Sequence, residues 1–208
     1  MRIVVLGAAG QLGREVVRDL LARGHTVRAA VRRRPEPAFP TPVEIRIADA
    51  RNKSEICAAI SGSDAVVNVI GGGTLRRNEV ASSTSSVAVP AAQDAGVRRY
   101  FAMSAGMVAL DWPLFKYVLR PLIFRHILAE HRRVEEIVRA SVLDWTIVRP
   151  SALTNQPARG YEASLELLPR AFMTTRADVA AFIGDALDSN KYIRQAVFRR
   201  LAPCFVSG

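Results

Sequence analysis

Cysteine is scarce in this chain. Cys57 and Cys204 are the two among 208 residues, and neither belongs to a Cys-x-x-Cys pair, so a disulfide scaffold and a cysteine-built zinc site are excluded. Such usage suits a reducing compartment, and a cytoplasmic location is expected. Histidine is nearly as rare. His126 and His131 are five residues apart, a poor spacing for sharing one metal ion on a helix face, and no metal site is expected; His25 falls in a turn and is expected at the surface. Long apolar runs are missing as well. The best candidate, residues 112–124, is interrupted by Lys116 and Arg120, so no bilayer-spanning helix is expected. The first residues run straight into a strand and a glycine turn, unlike a signal peptide. Lysine contributes three of the 29 basic residues, against 19 acidic ones, which leaves a net charge of +10. The arginines fall in short scattered groups, at 32–34, 76–77, 98–99, 132–133 and 199–200. That is the pattern of a solvated surface, and with no recognised binding motif beside it nucleic acid is not expected as a partner.

What the chain does have is apolar residues, half of the total, enough for one globular core. Residues 1–208 are expected to form a single domain. Residues 3–6 are continuously apolar, as in a parallel strand buried on both faces. Leu12, Val16, Val17, Leu20 and Leu21 then repeat at helical spacing, with Gly24 as a stop. Further strands are expected at 26–31, 43–47, 64–70, 97–103 and 145–148. Helices are expected from Asn52 or Ser54 to about residue 60, at 79–95 with a bend or break at Pro90, at 113–140 with a break near Pro121, and at 176–187, where Thr175 and Asp178 resemble a helix-start pattern. Residues 34–42 hold four prolines and read as a loop. Strands alternating with helices imply an α/β fold of the Rossmann type, a doubly wound and mostly parallel sheet with helices on both faces. Ligands of such sheets sit outside the carboxyl ends of the strands, where strand order reverses. The turns that follow the strands therefore carry the candidate site.

The first of these turns reads Gly7-Ala8-Ala9-Gly10-Gln11-Leu12-Gly13, a GxxGxxG spacing that follows a strand and opens an amphipathic helix. Glycine serves where the backbone turns sharply, where a diphosphate approaches main-chain N–H groups, and where helix and strand pack closely. The helix start offers unpaired N–H groups and the positive end of a dipole. A dinucleotide site over Gly7, Ala9, Gly10, Gln11, Leu12 and Gly13 is therefore expected. The end of the second strand selects the cofactor. An NAD site places a carboxylate there for the ribose hydroxyl; this chain has Arg32 and Arg33, which suit a 2′-phosphate, with Arg14 as a further positive charge. NADP(H) is the expected cofactor. Asp49, followed by the small Ala50, either accepts from the adenine amino group or caps the next helix. Gly71 closes the fourth strand, where a small residue lets ribose lie against the backbone. Ser104 closes the fifth; its hydroxyl binds substrate or the nicotinamide amide, or is satisfied by local backbone. His131 is a catalytic candidate, against the alternative of a solvent-facing or hydrogen-bonded helical histidine. Residues 112–128, aromatic and apolar with scattered cations, read as a lid, a partner or membrane surface, or core.

The segments VVLGAAGQLG, AAVRR, DAVVNVIGG, GVRRYFAMSAG, EHRRVEEIVRASVLDWTIVRPSALTN and TTRADVAAFI together resemble the atypical short-chain dehydrogenase/reductase family, in the NAD(P)H-binding group that includes NmrA-like proteins and the biliverdin-IXβ/flavin reductase. The likeness covers nearly the whole chain, and LDWTIVRPSALTN is its most specific piece after the glycine turn. It implies cofactor roles for Gly7, Gly10, Gln11, Leu12, Gly13, Arg32, Asp49 and Gly71, and an active-site position for Ser104. It also implies a nicotinamide-side loop at Pro150-Ser151-Ala152-Leu153, with substrate-side loops at about 104–128 and 150–175. Typical members carry Tyr-x-x-x-Lys on the long helix; the matching positions here are Ile127 and His131. Loss of that phenol disfavours ordinary ketone chemistry. A flat conjugated ring can instead take hydride directly, with solvent or a weak donor supplying the proton, as in the biliverdin-IXβ/flavin reductase. The resemblance thus implies an NADPH-dependent oxidoreductase acting on a flavin, quinone or aromatic natural product, as a monomer or homodimer. Two alternatives stand beside it: a non-catalytic NADP(H) sensor of the NmrA-like kind, and an isomerase or cyclase on the same fold.

Overall fold

Ile3, Val4, Val5 and Leu6 offer no polar face, and the computed structural model buries all four. They belong to β1 (Arg2–Leu6), which is bonded in parallel to β2 (Thr26–Val31) on one side and β4 (Ala65–Asn68) on the other. The structure describes residues 1–35, 37–39, 43–71, 79–109, 117, 122–166 and 173–201. β3 (Val43–Ile47) flanks β2, while β5 (Arg99–Met103), β6 (Asp144–Pro150) and β10 (Gln195–Leu201) continue in parallel beyond β4. β8 (Tyr161–Ser164) closes that edge, antiparallel to β10. The order β3-β2-β1-β4-β5-β6-β10-β8 reverses direction between β1 and β4, which is where a ligand cleft belongs. β7 (Ala152–Thr154) and β9 (Met173–Thr175) make a separate two-stranded parallel ribbon. The six expected strands are present. β7, β8 and β9 lie within 150–175, expected as a substrate-side loop, and β10 follows the helix expected at 176–187, where no strand was expected.

Alternate residues of β1 serve two cores. Ile3 and Val5 pack with Val16, Val17 and Leu20 of α1 (Gln11–Ala22) and with Val179, Phe182 and Ile183 of α5 (Arg176–Asp188). Val4 and Leu6 face the other way. They pack with Ile56 and Ile60 of α2 (Lys53–Ile60), Ala88 of α3 (Val80–Asp94), and Val134 and Val138 of α4 (Arg125–Arg139). Each fully buried aliphatic side chain contributes roughly 1.5–3 kcal/mol, so both faces hold the strand ends rigid beneath the cleft.

Local signals start and stop the helices. α1 ends as expected at Gly24, with Gly24 N–H on the Leu21 carbonyl and His25 N–H on the Leu20 carbonyl, each at 3.0 Å. Asn52 caps α2 through its side-chain oxygen. Thr175 caps α5, and buried Asp178 accepts from the Thr175 hydroxyl and from the backbone N–H groups of Arg159 and Gly160. That one carboxylate therefore also pins the loop after β7. Pro90 lies inside α3 without breaking it: both Pro90 and Ser86, whose carbonyl the proline cannot serve, are exposed, so water can satisfy the freed acceptor. His25 departs from the surface expectation. Its side chain is 10% exposed, with Nε2 3.0 Å from Asp188, because α5 covers the end of α1. Of the helix expected at 113–140, the described part is α4 and the residues just before it. Pro121 and most of the lid segment lie outside the described residues. No helix among the described residues is long and apolar enough to cross a membrane.

Candidate functional site

One cleft of about 870 Å³ runs across the carboxyl ends of the strands. Its centre is the turn between β1 and α1. Gly7 has φ +82°, and a Cβ there would stand 2.8 Å from Ile70 Cγ1, so this tight passage under the β4 end excludes other residues. At Gly13 a Cβ would fall 2.2 Å from the Gly7 carbonyl oxygen, which shows how closely α1 leans on the turn. Gly10 N–H closes that turn on the Gly7 carbonyl at 3.0 Å. Gly10 is also the N-cap of α1, with no capping side chain and no acid in the first turn. Ala9, Gly10, Gln11, Leu12 and Gly13 line the cleft, so an uncapped helix start faces it. Gly71, in the segment that follows β4, lines it too, and a Cβ there would meet nothing within 4 Å. Bare backbone and unpaired first-turn amides are what a diphosphate requires, and the residues present fit a dinucleotide.

At one end the cleft is basic. Arg32, Asp49, Ala50 and Arg51 line it where β2 and β3 finish. Arg51 donates from its backbone N–H (3.0 Å) and from Nε and Nη2 (3.3 Å each) to the Asp49 carboxylate. Those bonds, with the charge of Arg32 adding to them, hold the Asp49 carboxyl below the usual range. Asp49 does not cap α2, since Asn52 does; it orients Arg51. Arg33 is exposed and does not line the cleft. Arg14 is also elsewhere, donating to the Pro37 carbonyl at 2.7 Å and lying over the Phe39 ring.

The other end is more apolar and is built from both faces of the sheet. Met103 ends β5 and Ser104 and Ala105 follow it, Pro150 ends β6 and Ser151 follows it, and Leu153 lies on β7. Ile127 and His131 come from α4, Val80 from α3 and Arg176 from α5. Ser104 is 4% exposed, and its hydroxyl donates to Glu135 Oε1 at 2.7 Å. Arg149 grips the same carboxylate from Nε (2.8 Å) and Nη2 (2.6 Å). Burial pushes the Glu135 carboxyl up, but Arg149, Ser104 and the charge of Arg139 outweigh it and hold it below its ordinary value. His131 is 7% exposed, and its Nδ1 is buried with no hydrogen-bond partner among the described residues. Burial pulls its pKa below 6.5, against the raising charges of Glu130 and Glu135, so a neutral imidazole borders the cleft. Ser151 Oγ and Thr174 Oγ1 are 2.7 Å apart. Arg176 donates to Asn155 Oδ1 at 2.6 Å, which braces the loop after β7.

Thus Gly7, Ala9, Gly10, Gln11, Leu12, Gly13, Arg32, Asp49, Ala50, Gly71, Ser104, His131, Pro150 and Ser151 share one cleft, and Arg33 does not. The sequence reading missed Arg51, Glu135 and Arg176. Glu135 stands one helical turn after His131, and that spacing was its one legible signal. Among the described residues no group of three or more His, Cys, Asp or Glu side chains could hold a metal.

Comparison with known proteins points the same way. The sequence model described as NAD(P)H-binding matches residues 7–190. A relative from Bacillus subtilis (strain 168), named "Uncharacterized sugar epimerase YhfK", is 31% identical over 196 residues, spanning 90% of this chain and 88% of its own. Among solved structures, ChuY, an anaerobillin reductase from Escherichia coli O157:H7, superposes with a TM-score of 0.79 at 20% identity and covers 100% of both chains. A short-chain dehydrogenase/reductase from Veillonella parvula DSM 2008 in complex with NADP gives a TM-score of 0.77 at 21% identity, over 98% of this chain and 95% of its own. At such identities the structures speak for the fold alone.

Proposed function

The chain belongs to the NAD(P)H-binding family, and from that premise we propose that it is an NADPH-dependent reductase of flat, conjugated acceptors. The observation that carries the reading is the change of character along a single cleft. At the basic end, Arg32 and the Asp49-oriented Arg51 suit a 2′-phosphate. In the middle, the uncapped start of α1 suits a diphosphate. At the other end, Val80, Met103, Ala105, Ile127 and Leu153 form apolar walls, and no tyrosine or lysine lines the cleft among the described residues. When bound, the nucleotide supplies hydride. The protein's own groups then hold a planar ring against the apolar walls and keep water out. Pro150 and the Thr174-anchored Ser151 fix the loop beside it. His131 borders the ring as a neutral imidazole and a weak hydrogen-bond donor, and solvent supplies the proton as the reduced ring leaves.

Anaerobic stopped-flow absorbance of NADPH tests this with lumiflavin, menadione and cyclohexanone. Oxidation by the ring acceptors and none by the ketone is the expected result; turnover of the ketone at a comparable rate would overturn it. One observation favours a second reading, a non-catalytic NADP(H) sensor: the Ser104 proton is committed to Glu135 and leaves no hydroxyl donor for a substrate. Unequal calorimetric affinities for NADPH and NADP+, with no turnover of any acceptor, would replace the reductase with the sensor. Equal affinities without turnover would count against both.

A further inference from the structure

We propose that Glu135 is a positioning residue that turns Ser104 into a hydrogen-bond acceptor toward the cleft, and that the donor it takes is the carboxamide amino group of a bound nicotinamide rather than any group of the substrate. The inference rests on the reading that a dinucleotide lies along this cleft with its adenosine at Arg32. Strand order then carries its nicotinamide to the ends of β5 and β6, where Ser104 stands.

A serine hydroxyl has one proton and two lone pairs. At Ser104 the proton lies on Glu135 Oε1 at 2.7 Å. Glu135 cannot reverse that bond, because it is an ionised carboxylate and therefore acceptor-only. Two Arg149 contacts, at 2.8 and 2.6 Å, and Arg139 at 3.5 Å keep it charged. The relay is buried: Glu135 is 5% exposed and Ser104 4%. The Ser104 backbone N–H is also spent, on the Val148 carbonyl at 2.8 Å. Ser104 thus meets a ligand with lone pairs alone. A ketone or quinone oxygen, itself an acceptor, gains nothing there, whereas an amide N–H does. Of the groups a nicotinamide nucleotide brings to this end, the carboxamide amino group is the one that can only donate.

The test uses NADP+ and its 3-acetylpyridine analogue, in which a methyl replaces that amino group, with both affinities measured by calorimetry on the whole protein. 2′,5′-ADP, which reaches only the adenosine end, reports on the intact fold. Wild type is expected to favour NADP+ on the order of five-fold, the net worth of one such bond. S104A should bring the ratio to about one, while Ser104→Thr, which keeps the hydroxyl, preserves it. In Glu135→Gln an amide N–H beside Ser104 would turn its proton toward the cleft, and the preference should vanish or invert. All variants should bind 2′,5′-ADP as wild type does. If Glu135→Gln fails to fold, the Ala and Thr variants at 104 decide. A wild-type ratio retained in S104A overturns the proposal while leaving the dinucleotide reading intact. Failure of wild type to bind either dinucleotide overturns both.

Discussion

Gly13 and Gly71 both line the cleft, yet the structure gives them different burdens, and exchanging each for alanine separates them. A Cβ on Gly13 would stand 2.2 Å from the Gly7 carbonyl oxygen and 2.7 and 2.8 Å from Ala8 backbone atoms. Each contact is well inside the 3.4 Å at which ordinary van der Waals spacing begins, and all three are backbone, so no side chain can swing aside. α1 must move off the turn by about 1 Å. Overpacking of this kind costs about 1–3 kcal/mol, partly offset by alanine's helix preference of up to about 1 kcal/mol. With an unfolding entropy near 0.4 kcal/mol/K for a chain of this length, Gly13→Ala should lower Tm by up to about 5 °C. It should also weaken dinucleotide binding by at least ten-fold, because the first-turn amides move with the helix. Gly71→Ala meets nothing within 4 Å; it should leave Tm within about 1 °C while still weakening binding, since the added methyl occupies ligand space. Differential scanning fluorimetry and calorimetric titration with NADPH give both numbers. A Gly13→Ala protein with wild-type Tm and affinity would refute the close packing of turn and helix. A melting loss in Gly71→Ala equal to that of Gly13→Ala would refute the assignment of Gly71 to open cleft.

Three further outcomes are expected. Arg32→Ala should weaken NADPH binding about ten-fold or more while leaving NADH within about two-fold; equal losses for both would count against a 2′-phosphate site. His131 should titrate below 6.5 by imidazole NMR in the free protein, since burial dominates its surroundings. Because the fold disfavours its charged form, its contribution to stability is complete above the ordinary imidazole value and erodes as pH falls through the folded one; a midpoint above 6.5 would contradict the described burial. Asp178→Ala should cost about 2 kcal/mol, or about 5 °C in Tm, by removing the carboxylate that accepts from the Thr175 cap hydroxyl and freeing the Arg159 and Gly160 N–H groups; an unchanged Tm would show that water replaces the carboxylate.

Much of this site could be read from short sequence stretches because its chemistry is local. The apolar run 3–6, the glycine spacing after it and the periodicity of Val16, Val17 and Leu20 each depend on neighbours within a few residues, and each appears as expected. Arg32 was legible for the same reason: it follows directly on a strand. Glu135 was not. In sequence it is one more charge on a charged helix, and only the packing of α4 against β6 turns it inward to meet Arg149, fourteen residues away. Arg51 was hidden because its direction is set by the Asp49 carboxylate rather than by any strand end. β10 was missed because its pairing partners are β6 and β8, and a strand whose stability comes from neighbours tens of residues earlier carries a weak local signature.

The same distinction between local pattern and distant partner changes the meaning of the positive charge. Arg98 is 88% exposed on its side chain, as a scattered surface group should be, but its neighbour Arg99 is buried and donates to the Asp144 and Lys191 carbonyls at 2.7 and 2.8 Å. Arg28 reaches the Ala59 and Ser61 carbonyls at 2.7 Å each and Glu44 at 2.9 Å. Arg23 joins α1 to α5 through Asp19, Asp185 and Asp188, and Arg149 holds Glu135. Each of the four spans segments distant in sequence with a planar fork of several donors. A lysine ammonium, a single point on a flexible stem, cannot span two such acceptors in fixed directions. The preference for arginine over lysine is in this respect architectural. It follows that the net charge of +10 is weak grounds for a polyanionic partner, and that the function proposed above turns on arginines like Arg32, which lines the cleft and makes no hydrogen bond or ion pair among the described residues.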